Sequence, residues 1–151
     1  MPSANWLHLY SEAARLAFAD RAAYVGDPDF VQAPGGDWRS LLAPGYLLER
    51  SRLIGPQRMP AAAAGQPAPL RMGYAPMPPQ PEYGTSHISI IDKDGNAVAM
   101  TTTIEAAFGS RQMVKGFMLN NELTDFSFTP TDASGQPIAN SVQPGKRPRS
   151  S

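Results

Sequence analysis

Two hydroxyl side chains, Thr85 and Ser86, stand between Gly84 and the alternating stretch HISIID. A threonine hydroxyl is a weak nucleophile unless a base lies beside it, and no histidine–aspartate pair is conveniently placed here. A cut before Thr85 would create an α-amine that can act as the base, because α-amines have a pKa of about 8. Gly84 offers no side chain to block the bond and permits strained backbone angles. The alternative reading, that Thr85 merely starts a strand, stays open on local sequence.

A second candidate group lies in NNELTDF, residues 120–126, where Glu122 and Asp125 follow two asparagines. Carboxylates bind an ammonium ion through charge-assisted hydrogen bonds. Glu105, just after the run TTT, is a third acid of the same kind. For all three acids the alternative is a solvated loop in which they cap turns.

Composition excludes several classes of function. The chain has 151 residues, the size of one ordinary domain, with 13 basic and 13 acidic residues, so no net charge attracts nucleic acid. It has no cysteine, and its two histidines, His8 and His87, form no cluster with ligand spacing, so neither a thiolate site nor a metal site is predicted. The start shows no signal-peptide layout, and both ends are expected to be parts of a longer chain.

The elements that must position these residues follow from periodicity. Apolar residues at three- and four-residue spacing predict a helix over 5–23, with Trp6, Leu9, Ala13, Leu16 and Ala17 on one stripe. A second helix is predicted over 45–54, with Leu47, Leu48 and Ile54 as its apolar face. Residues 60–82 hold seven of the 16 prolines and predict a linker or mobile loop that adds nothing to the core.

After residue 82 the period becomes two. HISIID and NAVAMTTTI flank DKDG, whose Asp-Gly pair is typical of a tight hairpin turn. The strands are expected over 86–92 and 96–104, and a third strand over 116–121. The predicted class is therefore α+β, with a helical first part and a β-rich second part.

Three segments taken in order, GTSHISIIDKDGNAVAMTTTIEAAFGS, GFMLNNELTDFS and QPGKRPRSS, resemble the γ-glutamyltranspeptidase family, as does the helix ending in GDPDFV. These enzymes are N-terminal-nucleophile hydrolases whose precursor cleaves itself into a large and a small subunit. The resemblance implies that 1–84 ends the large subunit and that 85–151 begins the small, catalytic one. It also implies part of an αββα sandwich, incomplete at both ends.

The resemblance also assigns roles by position. Thr85 matches the nucleophile, Gly84–Thr85 the cleaved bond, and Thr103 the threonine that supports the nucleophile. The residues that match the family's substrate contacts are Glu105, Glu122 and Asp125 for the α-amino group, and Ser150 and Ser151 for the α-carboxylate. Other members carry asparagine and glutamine where this chain has Glu105 and Glu122, and a second threonine is common where it has Ser86.

The implied reaction is transfer or hydrolysis of a γ-glutamyl group, as in glutathione, to an acceptor amino acid, a peptide or water. No metal or organic cofactor is expected, and the full-length protein is expected to be periplasmic or secreted. The family's substrate-binding arginine and two-glycine oxyanion hole fall outside these residues, so the 151-residue chain alone is expected to be inactive. Two alternatives remain: a related amidase such as a cephalosporin acylase, and an uncleaved binding protein without catalysis.

Overall fold

The computed structural model describes residues 1–69, 73–81 and 84–149, and the chain divides into two compact units. The helical unit comprises Met1–Pro78 and Phe126–Ser151, and the hairpin unit comprises Pro79–Asp125. The chain is thus of mixed α and β class, as the sequence predicts. The predicted subunit boundary after Gly84 is the site of a cleaved peptide bond. It does not coincide with the boundary between the two compact units.

The elements are short apart from the first helix. They are α1 (Ala4–Tyr24), α2 (Pro44–Ser51), β1 (Ser86–Ile91), β2 (Ala97–Thr102), β3 (Met113–Val114) and β4 (Phe117–Met118), with 3-10 turns at Pro34–Gly36, Trp38–Leu42 and Glu122–Asp125. Within the ranges that the structure describes, neither α-helix has both the length and the apolar character that a membrane span requires.

The helix predicted over 5–23 is confirmed as α1, one residue longer at each end. It begins at Ser3, whose side chain accepts a hydrogen bond from the backbone N–H of Trp6 at 3.1 Å. Its buried residues are Glu12, Leu16, Ala23 and Tyr24. Leu16 is thus the one member of the predicted apolar stripe that is buried, and the helix packs on a neighbouring, more polar face.

Backbone donors from a distant segment explain why a polar face is buried. Glu12 Oε2 accepts a hydrogen bond from the N–H of Met59 at 2.8 Å. Asp20 Oδ1 accepts one from the N–H of Gly65 at 2.9 Å, and Asp20 Oδ2 accepts one from the hydroxyl of Tyr46 at 2.7 Å. A buried carboxylate is stable when such donors replace water, so the two acids of α1 hold the segment from 59 to 65.

The second predicted helix is confirmed as α2, but it ends at Ser51 and buries a different face. Tyr46 and Arg50 are its buried residues, whereas Leu47 and Leu48 are exposed, so the predicted apolar face is wrong. The reason is electrostatic: Arg50 Nη2 lies 3.2 Å from Asp20 Oδ1 on α1. An ion pair of low exposure must keep both members together, which turns the leucines outward.

The expectation that residues 60–82 add nothing to the core is also wrong. Ala75 and Met77 are buried and form an apolar cluster with Ile138, against which Ala22 packs. Ala75 forms a parallel bridge with Ile138, and the N–H of Met77 donates to the carbonyl of Ala22 at 2.9 Å. Prolines remove donors but not apolar surface, so a proline-rich segment can pack where its few N–H groups find acceptors.

Asp27 joins the segment after α1 to the C-terminal part of the helical unit. Its buried carboxylate accepts hydrogen bonds from Arg147, from the backbone N–H at 2.8 Å, Nε at 3.0 Å and Nη2 at 2.6 Å. These bonds hold the pKa of Asp27 well below its usual range. Gly26 permits the backbone of Ala139 to pack closely against this segment, because a Cβ at Gly26 would lie 2.9 Å from the carbonyl oxygen of Ala139.

The hairpin unit contains the predicted hairpin. β1 and β2 are antiparallel, with Ser86 opposite Thr102 and Ile91 opposite Ala97. In the turn, Asp92 Oδ1 accepts from the N–H of Asn96 at 2.9 Å, and Gly95 has the positive φ of 87° that such turns require. All residues of both strands are exposed, so neither face of this hairpin is covered within the described residues.

The third predicted strand, over 116–121, is confirmed only at Phe117–Met118. This strand, β4, pairs with β3, which the sequence analysis did not predict. A two-residue strand has too few side chains for an alternating pattern, so periodicity does not reveal it.

We expect Asp27→Asn to lower the melting temperature at neutral pH, because it replaces the buried charged acceptor of Arg147 with a neutral one. A lowered pKa stabilises the fold above the unfolded value and loses that effect as pH falls through the folded value. The difference between wild type and variant should therefore shrink below about pH 4 in thermal unfolding followed by circular dichroism.

Asp29→Asn is the matched control, since Asp29 pairs with the same arginine but its side chain is 74% exposed. Its effect should be small at every pH. Equal effects of the two variants, or a pH-independent effect of Asp27→Asn, would contradict the assignment of this ion pair as a buried support.

Candidate functional site

Thr85 lies directly before β1 and is exposed, as is Gly84. A Cβ added at Gly84 would meet no atom within 4 Å, so the space around the Gly84–Thr85 bond is open. In the uncut chain the nitrogen of Thr85 is part of an amide and has no basic lone pair. The hydroxyl therefore has no internal base until the bond before it is cut.

Thr103 lies at the corresponding place on the other strand. Ser86 is opposite Thr102 in the register, so the next positions outward are Thr85 and Thr103. Both residues lie just outside the strands, next to the last paired positions of the hairpin. Thr103 Oγ1 accepts a hydrogen bond from the N–H of Glu105 at 2.8 Å, so its hydroxyl is oriented by the chain that follows.

Glu105 leaves the strand in an unusual conformation. Its φ is 71°, in the left-handed region that residues other than glycine rarely adopt. Its Oε2 accepts a hydrogen bond from Asn121 Nδ2 at 3.0 Å, and Asn121 Oδ1 accepts one from the N–H of Ala106 at 3.0 Å. The side chain of Asn121 thus holds the chain at 105–106 from across the loop.

Glu122 and Asp125 lie in the 3-10 turn Glu122–Asp125, which follows Asn121 directly. The pKa of Glu122 is raised, first by its burial and then by the charge of Asp125, a hydrogen bond with Asp125 and the charge of Glu105. One oxygen of Glu122, Oε1, is buried and has no hydrogen-bond partner among the described residues. The charges of Asp125 and Glu105 thus both act on Glu122, and its unpaired oxygen can accept a hydrogen bond from a further donor.

Sequence analysis named Asn120 and Asn121 only as neighbours of the acids. In the structure Asn120 Oδ1 accepts from the N–H of Glu122 at 3.1 Å, and Asn121 contacts Glu105 directly. An amide next to two acids is the signal that could have indicated a positioning role. The partner of Asn121 stands 16 positions away, which no local pattern reveals.

The predicted carboxylate-binding pair, Ser150 and Ser151, lies outside the described residues. The segment before it is held firmly: Lys146 Nζ donates to the carbonyl of Ala139 at 2.7 Å, and the N–H of Arg149 donates to Asn140 Oδ1 at 3.0 Å. Burial lowers the pKa of Lys146. Lys146 is therefore buried, although lysine is a residue that usually lies in solvent.

His87 lies within hydrogen-bonding distance of two hydroxyl groups. Its Nδ1 lies 2.8 Å from Thr101 Oγ1, and its Nε2 lies 3.1 Å from Ser89 Oγ. Across residues 1–69, 73–81 and 84–149, no three histidine, aspartate or glutamate side chains are arranged to hold a metal ion.

We expect Glu122→Gln to stabilise the protein at neutral pH and to have little effect in acid. The raised pKa of Glu122 means that its favourable contribution is complete below the unfolded pKa and is lost as pH rises through the folded one. Melting temperatures measured from about pH 4 to pH 8 should show a gap that widens with pH. Glu49→Gln, at an exposed glutamate of α2, is the control and should show no such widening.

Comparisons with known proteins agree on one family. The family profile described as gamma-glutamyltranspeptidase matches residues 1–151. The chain is 40% identical over 155 residues to the glutathione hydrolase proenzyme of Pseudomonas aeruginosa, covering 99% of the chain and 25% of that protein. It is 43% identical over 152 residues to the glutathione hydrolase proenzyme of Bacillus subtilis strain 168, covering 95% of the chain and 24% of that protein.

A more distant relative is the Acylase ACY 1 proenzyme of Pseudomonas sp. strain SE83, 33% identical over 147 residues, covering 96% of the chain and 23% of that protein. The chain thus spans about a quarter of the length of the curated relatives that it matches. Because the family profile extends over all of its residues, the chain belongs to the gamma-glutamyltranspeptidase family.

Proposed function

We propose that the full-length protein containing this chain transfers or hydrolyses γ-glutamyl groups, as in glutathione, with Thr85 as the nucleophile. The observation that carries the proposal is the hydrogen bond from Asn121 to Glu105, which links the chain just after β2 to the turn that carries Glu122 and Asp125. Family membership and the glutathione hydrolase relatives support the same assignment.

Maturation precedes catalysis in this proposal. Scission of the Gly84–Thr85 bond divides the precursor into a large subunit ending at residue 84 and a small subunit beginning at Thr85. The new α-amine has a pKa of about 8, so a useful fraction is neutral at physiological pH and can take the hydroxyl proton. The open space around Gly84 supports this, because the freed end has room to move away.

The reaction then has two steps. Thr85 Oγ1 attacks the γ-carbonyl carbon, the α-amine takes the hydroxyl proton, and the amide C–N bond breaks as that proton passes to the departing amine. A γ-glutamyl ester on Thr85 results. Water or an acceptor amine next attacks the ester carbonyl and loses a proton to the same α-amine. The bond between this carbon and Thr85 Oγ1 then breaks, and the proton passes to Oγ1, which regenerates the threonine and releases the γ-glutamyl product. Thr103 supports the nucleophile from the opposite strand, and no cofactor takes part.

The glutamyl group of the substrate has two charged groups, an α-ammonium and an α-carboxylate, and different residues recognise each. The three carboxylates receive the α-ammonium of the glutamyl group, where charge-assisted hydrogen bonds are stronger than neutral ones. Ser150 and Ser151 offer hydroxyl donors to its α-carboxylate. The unpaired oxygen of Glu122 supports the first half of this assignment, since an ammonium donor satisfies it and offsets the burial and the like charges that raise the pKa of Glu122.

The wider setting follows from the family. We propose that β1 and β2 belong to one of the two central sheets of an αββα sandwich, which is supported by their uncovered faces. The partners are then the two subunits of one precursor, a γ-glutamyl substrate, and water or an acceptor amino acid or peptide, with no nucleic acid. A periplasmic or secreted location is proposed from family resemblance.

A second candidate function is that of an acylase acting on side chains without an α-amino group, which the 33% identical acylase relative favours. Such a substrate brings no cation to the acids. Without a cation, the carboxylates are destabilised by desolvation and by their like charges. A substrate that brings an ammonium group, such as a γ-glutamyl amide, is therefore favoured.

Self-cleavage is expected at one bond of the full-length precursor. Mass spectrometry should find a small subunit that begins at Thr85, and Thr85→Ala should leave one uncut chain because the attacking hydroxyl is gone. Ser86→Ala removes the neighbouring hydroxyl and should still be cut. A wild-type protein that remains uncut yet hydrolyses γ-glutamyl amides would overturn the mechanism.

Asp125→Asn should lower kcat/KM for a γ-glutamyl amide by about ten- to a hundredfold, the value of one charge-assisted hydrogen bond of roughly 1.5–3 kcal/mol. A glutaryl amide, which lacks the α-amine, should lose little or gain. Asp94→Asn, in the exposed β1–β2 turn, is the control and should change neither substrate. Equal losses on both substrates would assign Asp125 a structural role.

A further inference from the structure

We propose that Asn121 is a positioning residue of the α-amino site: its side-chain amide aims the carboxylate of Glu105 and thereby sets the preference for γ-glutamyl over glutaryl substrates. This inference rests on the proposed function, because it gives Asn121 a role that acts through Glu105. Neither the family assignment nor the sequence analysis gives Asn121 a role.

The amide uses both of its ends on adjacent residues. Its nitrogen donates to Glu105 Oε2 at 3.0 Å, and its oxygen accepts from the N–H of Ala106 at 3.0 Å. The nitrogen also donates to Thr124 Oγ1 at 3.3 Å. Three bonds from one planar group fix both its position and its orientation. Among the described residues this amide is the side-chain donor to the Glu105 carboxylate, and it occupies Oε2, which leaves Oε1 available to a ligand.

The backbone of Asn121 ties the same two segments together. Its N–H donates to the carbonyl of Ile104 at 3.3 Å. Its carbonyl accepts from the N–H of Thr124 at 3.0 Å and from Thr124 Oγ1 at 2.9 Å. One residue thus links the strand end that carries Glu105 to the turn that carries Glu122 and Asp125.

Glu105 needs such a support for two reasons. Its positive φ is a conformation that persists in a residue other than glycine only when the surroundings impose it. Its charge also adds to the raised pKa of Glu122, after the larger effects of burial and of Asp125. Without a donor on Oε2, the flexible glutamate side chain would turn away from the other acids and toward water.

An aspartate or a leucine at 121 could not do the same. Aspartate would present an acceptor to the carboxylate of Glu105, and leucine would leave the N–H of Ala106 without its acceptor. The choice of an amide is therefore explained by the two contacts together, which a purely space-filling role does not require.

The test is a double-mutant cycle in the full-length, self-cleaved protein. Asn121→Ala, Glu105→Ala and the double variant are assayed for kcat and KM on a γ-glutamyl aryl amide and on the matching glutaryl aryl amide. We expect Asn121→Ala to raise KM for the γ-glutamyl amide about tenfold, with little change in kcat and none on the glutaryl amide. The double variant should be no worse than Glu105→Ala alone, since the two residues act as one unit.

Ser110→Ala is the matched control, because it removes one side-chain hydrogen bond, to the carbonyl of Leu119 at 3.2 Å, in the same unit. It should leave both substrates unchanged. If Asn121→Ala does not mature, Asn121→Ser, which keeps a hydroxyl for the N–H of Ala106, enters the cycle with the same expected result.

The outcomes distinguish failure of the positioning role of Asn121 from failure of the proposed α-amino site. Suppose that Glu105→Ala selectively impairs turnover of the γ-glutamyl amide. The positioning role of Asn121 is then overturned if Asn121→Ala loses equally on both substrates, or if the two substitutions have additive effects. If Glu105→Ala itself shows no selectivity for the γ-glutamyl amide, the α-amino site of the proposed function fails, and the positioning role fails with it.

Discussion

The antiparallel register of β1 and β2 is the constraint on which the candidate site depends. Because Ser86 lies opposite Thr102, Thr85 and Thr103 stand at neighbouring strand ends. The segment that carries Glu105 follows Thr103 directly. A slip of one residue would send every side chain of the strand to the other face. The turn that contains Asp92 and Gly95 fixes this register from the far end of the hairpin. It thereby sets the position of Thr85 relative to Thr103.

Like charges impose the second constraint. Burial raises the pKa of Glu122, and the charges of Asp125 and Glu105 raise it further. The arrangement persists because Asn121 supplies a donor and fixed distances, and a bound ammonium would remove the remaining repulsion. Thr85, Thr103 and the three acids thus lie within one compact unit, Pro79–Asp125, while the helical unit combines residues from both sides of the proposed cut.

Local chemistry made part of this structure predictable. The hairpin follows from DKDG and alternating residues, and α1 follows from its spacing and ends near GDP, because these signals act over a few residues. The buried faces of α1 and α2 were not predictable, since Glu12 and Asp20 are satisfied by backbone N–H groups of Met59 and Gly65. The contact of Asn121 with Glu105 was missed for the same reason: it joins positions that become neighbours only after folding.

The central claim is that Thr85, freed by scission, carries the glutamyl group during turnover. Rapid acid quenching of the full-length enzyme with a γ-glutamyl amide, followed by mass spectrometry of the small subunit, tests this directly. The account predicts one γ-glutamyl group in ester linkage on a peptide whose first residue is Thr85, and its loss when turnover is complete. A glutamyl group on another residue, or on an uncut chain that is turning over substrate, would contradict it.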